Sequence, residues 1–345
     1  MSPTIIMIIL SSLATGTIIT MTSYHWLFAW IGLELNTLAI IPTISSLHNP
    51  RSTEAATKYF LTQAAASAMI LFSSMTNAWQ TGTWDITNLM STPAHIMLTL
   101  ALAMKLGLAP MHFWLPEVLQ GTTLTTALII STWQKLAPLA LIYLTISNLS
   151  TTVMLILGLL STIVGGWAGL NQTQTRKIMA YSSIAHLGWM FSISSLMPNI
   201  MVLNLAVYLM MTTAIFFMLI VTHSKTIQDT MMAWPLSPML TSTTLILLLS
   251  LAGLPPLTGF VPKWLILEGL IMQNLTLIAV TMAMASLLSL FFYLRLTYTT
   301  ALTLAPHMVQ VKFKWRLKPN LSTPLMMSMS LMSAFLLPIT PLILL

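Results

Sequence analysis

The chain has no cysteine and little charge: of 345 residues, six are acidic, thirteen are Lys or Arg, and charged residues make up 6%. Without cysteine there is neither a disulfide nor a thiolate-held iron–sulfur cluster. The glycine-rich signatures that cradle a dinucleotide or a nucleoside triphosphate, GxGxxG and GxxxxGK, are also missing, so the sequence displays no redox centre. With 57% apolar residues and a mean hydropathy of +0.88, the chain has too few polar groups to cover a soluble globule. It reads as an all-α, polytopic membrane protein. Its chemistry therefore rests on the few polar groups inside the spans.

Stretches of about 20 apolar residues are long enough to cross hydrocarbon. Polar breaks separate about eleven of them, at 3–22, 24–46, 56–79, 94–117, 123–146, 150–170, 177–197, 200–222, 239–268, 274–295 and 324–344. The first looks like a signal-peptide core but lacks a basic flank and precedes further spans, so it is expected to stay as the first helix. One transmembrane domain is expected over 1–345, with a basic loop at 296–323 before the last helix. Ten of the thirteen basic residues follow even-numbered spans, among them Arg51, Arg176, Lys225, Arg295 and the run at 312–318. Short loops on the cytoplasm-like side collect such charges, which places the N-terminus on that side and, for an odd count, the C-terminus opposite.

Three basic residues belong to no loop. Lys105, Lys135 and Lys263 fall inside spans 4, 5 and 9, and one acid, Glu34, falls in the middle of span 2. Each ionised group near a helix centre costs about 2.5 to 3.5 kcal/mol, so the four together cost on the order of 10 kcal/mol, as much as the whole stability of a domain. One reading makes them structural pairs that hold helices in register, but three cations against one carboxylate leave two uncompensated. The other makes them proton carriers, since an amine in hydrocarbon gives up its proton more readily than in water. On that reading Glu34 would hold a proton on Lys105 when close and release it when far. His112, about two helical turns after Lys105, and His186, within YSSIAHLGWM, are candidates for an accessory relay.

Two of the lysines coincide with breaks in their helices. In ALAMKLGLAPMHFWLPE, residues 101–117, Pro110 and Pro116 cannot donate to a helical ladder. The pattern Gly-Leu-x-Pro, five residues, Pro, charge begins there at Gly107 and ends at Glu117, and it returns from Gly253 through Pro256 and Pro262 to Lys263. Prolines and glycines in membrane helices are often simple kinks. Here they accompany buried amines, where freed carbonyls and half-helix ends can bind water and a moving proton. Spans 4 and 9 are five helices apart and so cross in opposite directions, which predicts an inverted repeat with two broken helices, the architecture of many transporters. Elsewhere, Glu54 between Arg51 and Lys58 reads as a solvated helical face with ion pairs.

Five segments carry a family resemblance: NPRSTEAATKYFLTQAAAS at 49–67, MKLGLAPMHFWLPEV at 104–118, TWQKLAPL at 132–139, GLNQTQTRKIMAYSSIAHLGWM at 169–190 and LAGLPPLTGFVPKW at 251–264. They resemble the antiporter-like membrane subunits of mitochondrial NADH-ubiquinone oxidoreductase, respiratory complex I, over nearly the whole chain. The resemblance implies a proton-pumping subunit of the membrane arm. It gives Glu34 the place of the carboxylate beside the first half-channel, Lys105 that of the broken-helix lysine, Lys135 that of the central bridging lysine and Lys263 that of the second broken-helix charge. His112 and His186 become accessory residues. Some paralogues carry a carboxylate at position 263, which leaves open which proton half-path this lysine serves. The resemblance further implies that FMN, iron–sulfur clusters, NADH and ubiquinone belong to other subunits, with no cofactor on this chain. Its partners would be other membrane-arm subunits, including neighbouring antiporter-like ones, and membrane phospholipids, with cardiolipin a candidate and nucleic acid excluded. The location would be the inner mitochondrial membrane, N-terminus in the matrix and C-terminus in the intermembrane space. A stand-alone or Mrp-like cation/proton antiporter and a structural scaffold subunit are the alternatives.

Overall fold

In hydrocarbon each backbone N–H and C=O must pair within its own segment, so a chain of this composition is confined to helices and to the special turns that end them. The computed structural model describes residues 3–231, 233, 238–302, 328, 330 and 331. Among them there is no β-strand, only the isolated bridges His25 with Asp85 and Gln174 with Thr226. The chain divides into two compact units, Met1–Ser161 with Phe191–Pro198, and Thr162–Met190 with Asn199–Leu345.

The first unit is built on α1 (Pro3–Thr22), α2 (Trp26–Ile44), α3 (Pro50–Thr81), α4 (Thr92–Leu106), α5 (Trp114–Gly121), α6 (Leu124–Ser131) and α7 (Leu136–Thr145), and α8 (Thr151–Gly169) begins in it. The long helix α3 starts cleanly because Pro50 occupies its first turn and Ser52 Oγ accepts a hydrogen bond from Asn49 N at 3.1 Å. It packs on α2, α4 and α5. The ion pair expected on its surface forms between Lys58 and Glu54, and Lys58 also reaches Glu117 on α5 at 2.6 Å, a partner that local spacing does not reveal. Both carboxylates are exposed, so solvent screens the pairs and the link to Glu117 orients α5 more than it stabilises the fold.

The second unit holds α10 (Pro198–Thr222), the short α11 (Ile227–Met231), α12 (Pro238–Ala252), α13 (Phe260–Met272) and α14 (Thr276–Leu302), together with most of α9 (Thr175–Ser194). Along α14, Leu277, Val280, Met284, Leu287 and Phe291 recur every three or four residues and are all more than half exposed. An outward apolar stripe of that kind suits hydrocarbon and not water.

Both expected breaks are present and share one geometry. Helix α4 stops at Gly107, whose φ is +79°, and Leu108 N donates back to Ala103 O at 3.0 Å. Helix α12 stops at Gly253, φ +85°, and Leu254 N donates back to Leu249 O at 3.4 Å. A left-handed glycine followed by this long backward bond satisfies the carbonyls that a helix end would strand in hydrocarbon. Span 5 differs from its expectation: α6 and α7 are separated by a 3-10 turn at Trp133–Lys135. Pro138 explains the interruption, because it has no N–H for the carbonyl of Gln134 and its ring crowds that carbonyl.

The first ten expected stretches each fall on described helices, and six helical segments are by themselves long and apolar enough to cross a membrane. The described residues do not establish a count of eleven. The expected eleventh span, 324–344, apart from 328, 330 and 331, lies outside the described residues. So do residues 303–323 of the basic loop, with Lys312, Lys314, Arg316 and Lys318, whereas 296–302 continue α14.

Replacing Gly107 with alanine puts a side chain into the left-handed region and brings its Cβ to 2.9 Å from Leu115 Cδ1. The expected loss is about 1 to 2 kcal/mol, read as a lower thermal unfolding midpoint of the chain; an unchanged midpoint would contradict the role given to this turn.

Candidate functional site

The chain places a lysine at each break, but by two different routes. Lys105 belongs to the last turn of α4, before its break, and is 6% exposed. Lys263 lies in the first turn of α13, after the second break, and is 9% exposed. In the sequence repeat the position of Lys263 matches Glu117, yet Glu117 has a half-exposed side chain and pairs with Lys58. The repeat therefore preserves the turn while the buried amine moves from one side of it to the other.

In the first unit, Lys105 and Lys135 line one cavity, whose free space of about 10 Å³ is the room of a single water molecule. Lys135, 2% exposed, sits in the 3-10 turn that Pro138 enforces. Tyr59 and Gln63 of α3, Asn36 of α2 and Gln134 share the walls. Gln63 Nε2 donates to Lys105 O at 3.4 Å, and Gln134 Nε2 donates to Asn36 O at 3.1 Å, so side-chain amides fasten both lysine-bearing segments to neighbouring helices. Trp114 Nε1 donates to Met104 O at 3.1 Å and clips α5 to the end of α4. The Lys105 amine has no hydrogen-bond partner among the described residues, nor has Glu34 Oε2. The two lie within electrostatic reach, and Tyr59 also senses the Glu34 carboxylate.

His112 corrects the helical spacing drawn from the sequence. Since α4 ends at Leu106, the histidine lies in the connection to α5 and not two turns along one helix from Lys105. It is buried, its Nδ1 is 3.2 Å from Pro110 O and its ring rests on Phe113.

In the second unit, the Lys263 amine donates to Ala252 O at 2.8 Å and Leu251 O at 3.3 Å. These are final carbonyls of α12, the negative end of its dipole, so a cation there is held by the broken helix itself. His186 on α9 is 6% exposed, with its ring 5.4 Å from that of Tyr208 on α10. Ser183 and Thr212 lie in hydrogen-bond reach of the Tyr208 hydroxyl, which extends the row of small hydroxyls that surrounded His186 in the sequence. Among the described residues no group of three His, Asp or Glu side chains is placed to hold a metal ion.

The sequence reading passed over Tyr59, Gln63, Asn36, Gln134 and Tyr208. A signal for some of them was available: Tyr59 and Gln63 are four apart and share a face of α3, Asn36 follows Glu34 by two residues, and Gln134 adjoins Lys135. Polar groups this close in sequence to buried charges belong to the same budget of unsatisfied bonds.

A helical bundle with two broken helices and buried lysines defines an antiporter-like membrane subunit. The family described as "NADH:quinone oxidoreductase/Mrp antiporter, TM" matches residues 23–289, and that described as "NADH dehydrogenase subunit 2 C-terminus" matches residues 290–344. NADH-ubiquinone oxidoreductase chain 2 of Varanus timorensis is 57% identical over 342 residues, 99% of each chain, and that of Xenopus laevis is 53% identical over 342 residues, again 99% of each. The chain belongs to the NADH-ubiquinone oxidoreductase chain 2 family. Among solved structures, a chain of respiratory complex I from Thermus thermophilus is 26% identical with a TM-score of 0.81, over 96% of this chain and 78% of that one. A chain of the Mrp complex from Dietzia, 16% identical, shares the fold with a TM-score of 0.76 over 87% of this chain and 61% of its own.

A Cβ on Gly253 would stand 2.9 Å from Lys263 Nζ. Gly253→Ala is therefore expected to cost more stability with Lys263 present than in a Lys263→Ala background. A double-mutant cycle should return a coupling of about 0.5 to 3 kcal/mol, and an additive cycle would contradict this contact.

Proposed function

We propose that this chain is a core membrane-arm subunit of proton-pumping NADH:ubiquinone oxidoreductase in the inner mitochondrial membrane, and that it translocates protons through Glu34, Lys105, Lys135 and Lys263. Electron transfer, with FMN, iron–sulfur clusters, NADH and ubiquinone, belongs to other subunits of the assembly. Neighbouring membrane-arm subunits are its partners, and phospholipids cover its remaining apolar faces. The N-terminus lies on the matrix side.

The observation that carries this reading is the cavity shared by Lys105 and Lys135 within the field of Glu34. Opposite charges in a poorly screening interior interact strongly, so a change of proton occupancy at one of these groups alters the energy of a proton at the next. A water held in that cavity would carry a hydrogen-bonded route from Lys105 toward Lys135 without moving a helix. At Lys263, carbonyls at the end of α12 accept hydrogen bonds from the amine in place of solvent. His112 and His186 are accessory polar groups in this scheme, each buried in its own unit.

Purification as part of a redox assembly separates this function from that of a stand-alone cation/proton antiporter. In the assembled complex, Lys135→Met is expected to lower the proton/electron ratio or to slow coupled turnover by about a hundredfold, the scale of a lost proton-transfer group. Normal assembly with an unchanged ratio and turnover would leave the lysines as structural pairs and overturn the proposal.

A further inference from the structure

Glu34 and Lys105 come from α2 and α4, and α3 packs against both of those helices. On α3, Tyr59 is 2% exposed and lines the same cavity as Lys105 and Lys135. Its ring stands edge-on to Trp114, with centroids 5.7 Å apart at 65°, and Trp114 is itself tied to the end of α4. One turn further along α3, Gln63 is bonded to the carbonyl of Lys105. The phenol is thus fixed beside the first break by packing on one side and by its own helix on the other. Its ring alone would serve the packing equally well in phenylalanine. A hydroxyl carried into this interior costs free energy unless it has polar partners; the cavity it lines also bears Lys105, Lys135, Asn36, Gln63 and Gln134, and the Glu34 carboxylate lies within electrostatic reach.

We propose that the Tyr59 hydroxyl is a further proton-transfer group of this chain, passing protons between Glu34 and the cavity shared by Lys105 and Lys135. The inference rests on the proton-translocating reading above and adds a residue to it. A phenol offers one donor and two acceptor lone pairs. As one proton arrives on the oxygen from the Glu34 side, the phenolic proton leaves toward the amine, or toward a water hydrogen-bonded to it. The oxygen keeps a single proton throughout, the ring stays neutral and no oxidant is involved. The transfer runs equally in reverse.

The test compares Tyr59→Phe, Tyr59→His and Lys135→Met in the assembled complex, measuring assembly, proton/electron ratio and coupled turnover. Phenylalanine fills the same volume, so Tyr59→Phe is expected to assemble and to slow coupled proton transfer at least about tenfold. Histidine leaves a gap against Trp114 but keeps one donor and one acceptor, so it should recover part of the loss. A purely structural tyrosine predicts the opposite order, with Phe better than His. Wild-type pumping in Tyr59→Phe beside a defect in Lys135→Met would overturn this proposal and leave the broader reading standing, as would failure of Tyr59→Phe to assemble. Wild-type pumping in both would remove the broader reading as well.

Discussion

The dominant constraint on this molecule is that hydrocarbon leaves no backbone group and no charge unserved. An intact helix meets that constraint on its own. A broken one does not, and this chain breaks α4 from α5 and α12 from α13 with the same left-handed glycine and the same backward hydrogen bond. Each break creates carbonyls and turn space inside the bundle, and each is accompanied by a lysine whose ionised form would cost about 2.5 to 3.5 kcal/mol near a helix centre. Such a cost persists only where the charge is used or where the surroundings compensate it.

The two units compensate differently. In the second, the α12 carbonyls solvate the Lys263 amine directly, so charge and helix end neutralise each other. In the first, the Lys105 amine has no hydrogen-bond partner among the described residues and faces a water-sized space that Lys135 also borders. Amide side chains from Gln63 and Gln134 secure the backbone around that space. One unit therefore holds an amine in place by direct bonds to backbone, and the other leaves one without such bonds at the wall of a small cavity.

Much of this is written in the sequence, for identifiable reasons. A lysine inside an apolar run is unmistakable, and Gly-Leu-x-Pro is a strong stop signal, so the broken helices and three buried lysines can be placed before any fold is known. The interruption at Trp133–Lys135 was harder to read, because Pro138 taken alone passes for an ordinary kink. His112 was misplaced on a helix because its spacing from Lys105 counts residues through a break. Polar side chains of α3 resembled the solvated face at Glu54 and Lys58, and only packing against α2 and α4 turns Tyr59 and Gln63 inward. The Lys58 bond to Glu117 joins residues 59 positions apart, beyond the reach of helical periodicity.

The account stands or falls on whether the space between Lys105 and Lys135 is hydrated in the working assembly. A map of the assembled complex at a resolution that shows ordered water tests this directly. The account predicts water density within hydrogen-bond distance of both amines. Apolar side chains closing that space, with no density between the two nitrogens, would contradict it.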